Sequence, residues 1–479
     1  MMNRRQAVKA LGGLAGAATM SKFLSGCGDD GGGNNDVVGI TNYVYLMLEN
    51  RTYDHVFGSR KLVEGRGGDG LTAEMANADI NGAMISSYAA ASGELCVLDP
   101  PHGWDASHAQ WNNGAMDGFV KEYQRDHGGR AITDVMSYLT RSLVPVSYAL
   151  ADAYTTCDRW FASVMGPTLP NRAYWHAATS FGLQANMEVL NKFSSVPVPT
   201  IYNRLEDKGV DWAYYSGPLA VVSLLGNPGP YQLDITGKIK RFSAYPDMPE
   251  DPNGEFFADA AAGRLPAVTY IDPFFGENDD HPPGHPILAQ ALIAAVYRAL
   301  ATSPQWKNCM LVITYDEHGG FYDHVAPPTT TDDSLEKFGV DGFQQCGFRV
   351  PAMVVGPYAK QNYVSSVQYD HTSALKHLQN AFGLETLTPR MNAANDLTDC
   401  IDMDRLAAGE PADPIELPKI NLADYPMITD PVCRGSAFRK DPITEWADAN
   451  PGSVIDRRSD AARDTYHRGI VEYLRKAQG

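Results

Sequence analysis

Five short apolar runs punctuate this chain, at residues 39–48, 212–215, 267–271, 310–315 and 350–355, and each is followed within a few residues by Gly, Pro or an acidic side chain. The first reads as a buried strand, and the others share its character. Helical patterns lie between them, at 200–208, 255–262, 287–300 and 372–382. Strands alternating with helices predict an α/β fold, a mostly parallel central sheet with helices on both faces. In such a sheet ligands bind beyond the carboxyl ends of the strands, so the strand-end residues are the first place to look for function.

At 479 residues the chain exceeds the size at which one core usually stops growing, so one large domain with insertions and two domains both fit. We read residues 36–479 as the catalytic unit, with an irregular Pro-, Asp- and Asn-rich covering segment from about 384 and a return to a helical pattern at 459–476. No stretch after the N-terminal 35 residues approaches the roughly 18 apolar residues of a membrane span. The formal net charge of -18 argues against a sequence-independent grip on nucleic acid, which needs Lys and Arg to neutralise phosphates. Any phosphate chemistry must therefore come from local charges.

Residues 1–35 read as an address label, with paired Arg4 and Arg5, a weakly apolar stretch, and Leu24-Ser25-Gly26-Cys27. They resemble a twin-arginine signal followed by a lipobox, so the expectation is export to the periplasm or cell surface and a membrane anchor through lipidated Cys27. A plain signal peptide with a chance cysteine is the alternative. Residues 28–35 read as a tether. Six cysteines remain, Cys96, Cys157, Cys309, Cys346, Cys400 and Cys433, enough for up to three disulfides, although Cys157 and Cys309 sit in apolar stretches that suit buried thiols equally well.

Hard oxygen donors and imidazoles concentrate in four places. Glu49-Asn50 closes the first run with a carboxylate and an amide carbonyl, donors suited to a hard divalent cation, though the pair also fits a simple turn. Asp316-Glu317 sets two adjacent carboxylates at the mouth of a strand, an arrangement that is costly unless a cation neutralises it; Asp323-His324 follows on the same loop. The Gly166-Pro167 turn presents Thr168 just before a helix expected to open at Pro170, where backbone N–H groups would stabilise developing phosphate charge. Thr168 either caps that helix or, beside a cation, serves as a nucleophile. His102, His108, His281 and His285 lie in polar, Pro- and Gly-rich segments with acidic neighbours, which suits general acid work or phosphate binding.

Taken in order, Glu-Asn-Arg-Thr-Tyr-Asp-His-Val-Phe-Gly (49–58), Gly-Pro-Thr-Leu-Pro-Asn-Arg (166–172), Asn-Asp-Asp-His-Pro (278–282), Thr-Tyr-Asp-Glu-His-Gly-Gly-Phe-Tyr-Asp-His-Val (314–325) and Tyr-Asp-His-Thr-Ser (369–373) resemble the signature blocks of one family. It comprises bacterial phospholipases C, related acid phosphatases and plant non-specific phospholipases C, within the alkaline phosphatase superfamily. The resemblance implies an alkaline-phosphatase-like sheet and a phosphoenzyme intermediate. By motif position it implies Thr168 as nucleophile and Glu49, Asn50, Asp316 and Glu317 around one divalent metal ion. His281 and the pair His102 and His108 would contact or protonate the phosphoryl and leaving groups, and Asn171 and His324 would touch substrate.

An all-oxygen ligand set favours calcium, manganese or magnesium, whereas superfamily membership pulls toward zinc. Threonine in the Gly-Pro-Thr block resembles the phospholipases and serine the acid phosphatases, so a phosphodiester lipid is the expected substrate. From its length the expectation is that the extra C-terminal domains of the longer bacterial phospholipases have no counterpart here. An acid phosphatase acting on monoesters is the rival among enzymes. A non-catalytic, anion-binding surface lipoprotein is the rival outside them, and its mark would be loss of the nucleophile or the carboxylates, both of which are present.

Overall fold

A computed structural model describes residues 39–430 and Cys433, apart from 187, 190–197, 218–219, 223–230, 232 and 243–254. The leader, Cys27 and the helical pattern at 459–476 lie outside the described residues.

Eight strands form the central sheet: β1 (Asn42–Leu48), β2 (Thr155–Cys157), β3 (Trp212–Ser216), β4 (Ile239–Arg241), β5 (Val268–Ile271), β6 (Cys309–Tyr315), β7 (Ala352–Val355) and β8 (Tyr363–Ser365). Their order is β8-β2-β7-β6-β1-β5-β3-β4. All run in one direction except β7, which pairs antiparallel with both β6 and β2. Every residue of β1 and β6 is buried, so both faces of the sheet centre are covered, which is why these strands read as unbroken apolar runs.

Five helices matter for the site: α1 (Tyr53–Leu62), α2 (Trp104–Trp111), α3 (Thr168–Ala177), α4 (Pro286–Ala301) and α5 (His371–Phe382). On one face of β1, Tyr43 packs edge-on against Phe382 of α5, and Tyr45 against Trp175 of α3. Helices α3 and α5 also pack on each other, while α4 packs with the helices Pro145–Ala153 and Glu255–Ala261. The segment after Gly383 is mostly irregular, with the short helices Pro389–Ala393 and Met403–Ala408. Of the six cysteines, Cys96 and Cys433 form a disulfide, and Cys157, Cys309, Cys346 and Cys400 are buried free thiols.

Candidate active site

The parallel register sets Leu48 beside Tyr315, so Glu49-Asn50 and Asp316-Glu317 leave the sheet side by side. Asp272 leaves the end of the other neighbour, β5. Asn50 turns the chain with φ 62°, a left-handed conformation that asparagine tolerates, and its backbone N–H donates to Asp316 Oδ1 at 3.1 Å. Across from it Gly319 has φ +61°, and a Cβ there would lie 2.2 Å from the Asn50 carbonyl oxygen. At Gly320, φ +75°, a Cβ would lie 2.6 Å from Pro100 Cβ. Only glycine lets these loops meet so closely.

Thr168 arrives from the loop that follows β2. Asn171 fixes that loop from within: its Oδ1 accepts from Val164 N at 2.9 Å, and its Nδ2 donates to Gly166 O at 2.9 Å and to the carbonyls of Val164 and Pro167 at 3.2 Å. The helix starts at Thr168 itself, two residues before the expected Pro170, and Pro167 is its cap. The Thr168 hydroxyl makes no capping bond; it donates to Glu49 Oε2 at 3.4 Å. Among the helix-end N–H groups, that of Leu169 already donates to Asn186 Oδ1 at 2.8 Å.

One turn further along α3, fully buried Arg172 pairs with Glu49 Oε1 at 2.8 Å, with Asp272 at 2.9 Å and with Asp316 Oδ2 at 3.7 Å. Tyr214 donates a 2.5 Å hydrogen bond to the other oxygen of Asp272. Burial, opposed by Arg172 and reinforced by the neighbouring Glu317, pushes the Asp316 carboxyl up to about 7. Burial does the same to Glu317, opposed by His102. Asn50 Oδ1, Asp316 Oδ2 and Glu317 Oε1 are buried, and among the described residues none accepts a hydrogen bond. Three oxygens left this way, on three of the four expected metal ligands, fit a hard cation, since burying a polar group without a partner is costly.

His102 faces this group. Its Nδ1 lies 2.7 Å from Pro100 O, and its Nε2 lies 3.3 Å from Asn50 Nδ2 and 3.7 Å from Glu317 Oε1. Burial disfavours its charge, but Glu317, Asp99, the Pro100 carbonyl and Asp316 outweigh that and raise its pKa to about 9. His281 stands beside it with ring centroids 5.5 Å apart, and its Nδ1 lies 2.5 Å from Pro282 O. His318 bridges Glu317 Oε2, 3.0 Å from its Nδ1, to Gln110 Oε1, 2.7 Å from its Nε2.

Glu49, Asn50, Thr168, Asp316, Glu317 and His102 thus form one linked cluster with His281 at its edge. Three other expected residues lie apart from it. His108 bonds the Trp104 carbonyl of its own helix at 2.7 Å and packs on the Trp104 ring. Asn171 is fully buried, its amide spent on the loop, so it orders the turn carrying Thr168 and has no free group for substrate. His324 joins a second charged cluster, with Asp54 Oδ2 at 2.6 Å and Asp69 Oδ1 at 3.2 Å, where Arg349 also pairs with Asp54 and Asp323. Among the described residues, Asp99, His102 and His281, and likewise Asp54, Asp323 and His324, each bring three ligating atoms within 4.8 Å of one another. In the second trio Arg349 already pairs with both carboxylates. Sequence reasoning gave no role to Arg172, Asp272, Asp99 or His318, although Arg172 and His318 stood inside the motif blocks.

The phosphoesterase family's sequence profile matches residues 40–385. This chain belongs to the phosphoesterase family. It is similar to phospholipase C A of Mycobacterium tuberculosis, with 30% identity over 449 residues covering 82% of this chain and 83% of that one. Non-specific phospholipase C6 of Arabidopsis thaliana is 31% identical over 372 residues, covering 72% and 69%. Among solved structures, an alkaline phosphatase superfamily protein from Vibrio parahaemolyticus aligns over 55% of this chain and 65% of that one, with a TM-score of 0.34 and 14% identity. Family and relatives together make the chain a phosphoric ester hydrolase.

Proposed function

We propose that the protein is a divalent-cation-dependent phosphodiesterase of phospholipase C type that works through a phosphothreonine on Thr168. The observation that carries this reading is the convergence of the Thr168 hydroxyl on Glu49 beside three buried oxygens, of Asn50, Asp316 and Glu317, that accept no hydrogen bond among the described residues. A divalent cation held by Glu49, Asn50, Asp316 and Glu317 would supply positive charge that lowers the hydroxyl's pKa and stabilises the phosphoryl oxygens.

In the first half-reaction Thr168 Oγ gives its proton to Glu49 Oε2 and bonds to phosphorus, and the bond from phosphorus to the departing alcohol breaks. His102 or His281 delivers the proton that the alcohol oxygen takes up. In the second, water attacks the phosphothreonine and gives a proton back to the histidine, Thr168 Oγ leaves and recovers its proton from Glu49, and the phosphate monoester departs. The names of the relatives favour a glycerophospholipid, with diacylglycerol as the first product. We further infer export and membrane anchoring through a lipid on Cys27, from the leader motif alone.

Mass spectrometry of protein quenched during turnover of a phosphocholine diester tests the mechanism. A modification of about +165 Da, the phosphocholine group esterified to the hydroxyl, is expected on the peptide with Thr168, with Thr168→Ala inactive yet folded and Thr168→Ser retaining turnover. Phosphate on a histidine, or a Thr168→Ala enzyme with wild-type rates, overturns it. Comparing rates on that diester and on a phosphate monoester separates this reading from an acid phosphatase.

A further inference from the structure

The block Tyr369-Asp370-His371-Thr372-Ser373 carries no role in the reaction as drawn above. In the structure it starts α5. Asp370 is the N-cap and accepts from Thr372 N at 2.7 Å, while Ser373 Oγ accepts from Asp370 N at 3.2 Å, a reciprocal capping box. The first helical residue, His371, is fully buried. Its Nε2 lies 2.6 Å from the backbone carbonyl oxygen of Asp316, and Trp160 Nε1 donates to its Nδ1 at 3.3 Å. An indole N–H can only donate, so Nδ1 is bare and Nε2 carries the hydrogen that the carbonyl accepts.

That carbonyl belongs to the peptide bond joining Asp316 to Glu317. The N–H at the other edge of the same peptide donates to Asp316 Oδ1 at 2.7 Å, and the N–H of Asp316 donates to Leu48 O at 3.0 Å. The backbone N–H of His371 also donates to Ser163 Oγ at 3.2 Å, in the loop that leads to Thr168. Arg390 repeats the tie, bonding Asp370 Oδ2 at 2.8 Å and the Ser163 carbonyl at 2.5 Å.

We propose that His371 is a positioning residue: its neutral imidazole locks the Asp316–Glu317 peptide plane, and with it the aim of both carboxylates, to the loop that presents Thr168. The proposal rests on the reading of those carboxylates as cation ligands. His371 touches neither substrate nor cation; it acts through Asp316.

The test titrates MnCl2 and CaCl2 into chelator-stripped full-length protein and reads affinity by calorimetry and by the cation-induced rise in Tm. Loss of a supporting group behind a metal ligand weakens binding about 10–100-fold, and His371→Phe is expected to fall in that range. His371→Gln, which keeps a donor of similar reach, recovers most of the affinity. Should His371→Phe fail to fold, His371→Asn carries the test, because it leaves Trp160 an acceptor but falls short of Asp316; it is expected to bind the cations weakly. Wild-type affinity in a folded His371→Phe or His371→Asn protein, with only the Tm of the stripped protein lowered, makes the residue merely structural and overturns the proposal. If the wild-type chain binds neither cation, the cation reading itself fails, and the proposal falls with it.

Discussion

Arg172 and Thr168, one turn apart on α3, reach opposite oxygens of a single carboxylate: Arg172 Nε donates to Glu49 Oε1 at 3.0 Å, and Thr168 Oγ1 donates to Oε2 at 3.4 Å. One residue thereby sets the position of the proposed nucleophile against a fixed positive charge. Removing one member of a buried ion pair leaves the other uncompensated, at a cost of about 3–5 kcal/mol. Arg172→Met is expected to destabilise the chelator-stripped protein by about that much, because Glu49, Asp272 and Asp316 lose their shared guanidinium. Excess divalent cation should restore more stability to the variant than to wild type. Urea denaturation with and without cation measures both effects, and an equal loss under the two conditions argues against a shared site.

Asp316 and Glu317, both held up at about 7, give the cation a pH signature. Their folded-state values lie above the ordinary carboxylate range near 4, so the stripped native state binds more protons than the unfolded chain between about pH 4 and 7. Stability of the stripped protein should therefore fall as pH rises through that window. A cation displaces those protons, so its affinity should climb over the same interval and level off above about 7. Thermal denaturation from pH 5 to 8 is expected to show stability falling with chelator and nearly level with saturating MnCl2, and parallel slopes would count against cation binding at these carboxylates. Asp316→Asn or Glu317→Gln should flatten both curves and abolish most turnover.

Asn50 combines a backbone task with the proposed ligand task, and the two can be separated. Glycine accepts the φ of 62° without strain, so Asn50→Gly should keep stability within about 1 kcal/mol while deleting Oδ1. It should bind cation weakly and turn over slowly. Asn50→Val, which strains the left-handed turn, should lose stability as well. Tm and cation affinity measured on the same samples decide whether the two losses come apart.

The anchoring inference is tested in the producing cell. Cys27→Ala removes the thiol that would carry the lipid, so the protein should leave the membrane fraction and collect as an unprocessed or soluble form. An unchanged distribution would eliminate the lipobox reading.

The five central strands were legible because burial on both faces leaves an unbroken apolar signal, as in consecutive Leu46, Met47 and Leu48 of β1. The direction of β7 was not, since an apolar run reads the same whichever way it points. Thr155–Cys157, Ile239–Arg241 and Tyr363–Ser365 escaped notice because these three-residue strands carry polar side chains and draw their order from their neighbours. The start of α3 was placed late for a related reason: proline is accepted throughout the first helical turn, where N–H groups have no partner inside the helix, so Pro170 marks that turn without marking its first residue.

In the site, paired carboxylates at strand ends identify themselves by chemistry. Arg172 does not, because arginine on a helix ordinarily points to solvent, and only the fold shows it wholly buried. His102 and His108 are indistinguishable in sequence, yet the first faces Asn50 and Glu317 while the second bonds back to its own helix. The Cys96–Cys433 pairing spans 337 residues, and no local pattern could have selected it.

Gly319 and Gly320 leave no space for a methyl group against Asn50 and Pro100, so the floor of the site is main chain laid on main chain. A floor of that kind cannot be retuned by exchanging side chains, and it leaves substrate preference to be written around the mouth. Half-buried Trp104 is placed for that: its ring would lie 3.4 Å from a Cβ at Gly166, over the turn that presents Thr168. Chemistry and choice then sit in different parts of the fold, the first on backbone packed against backbone and the second on side chains such as the Trp104 indole.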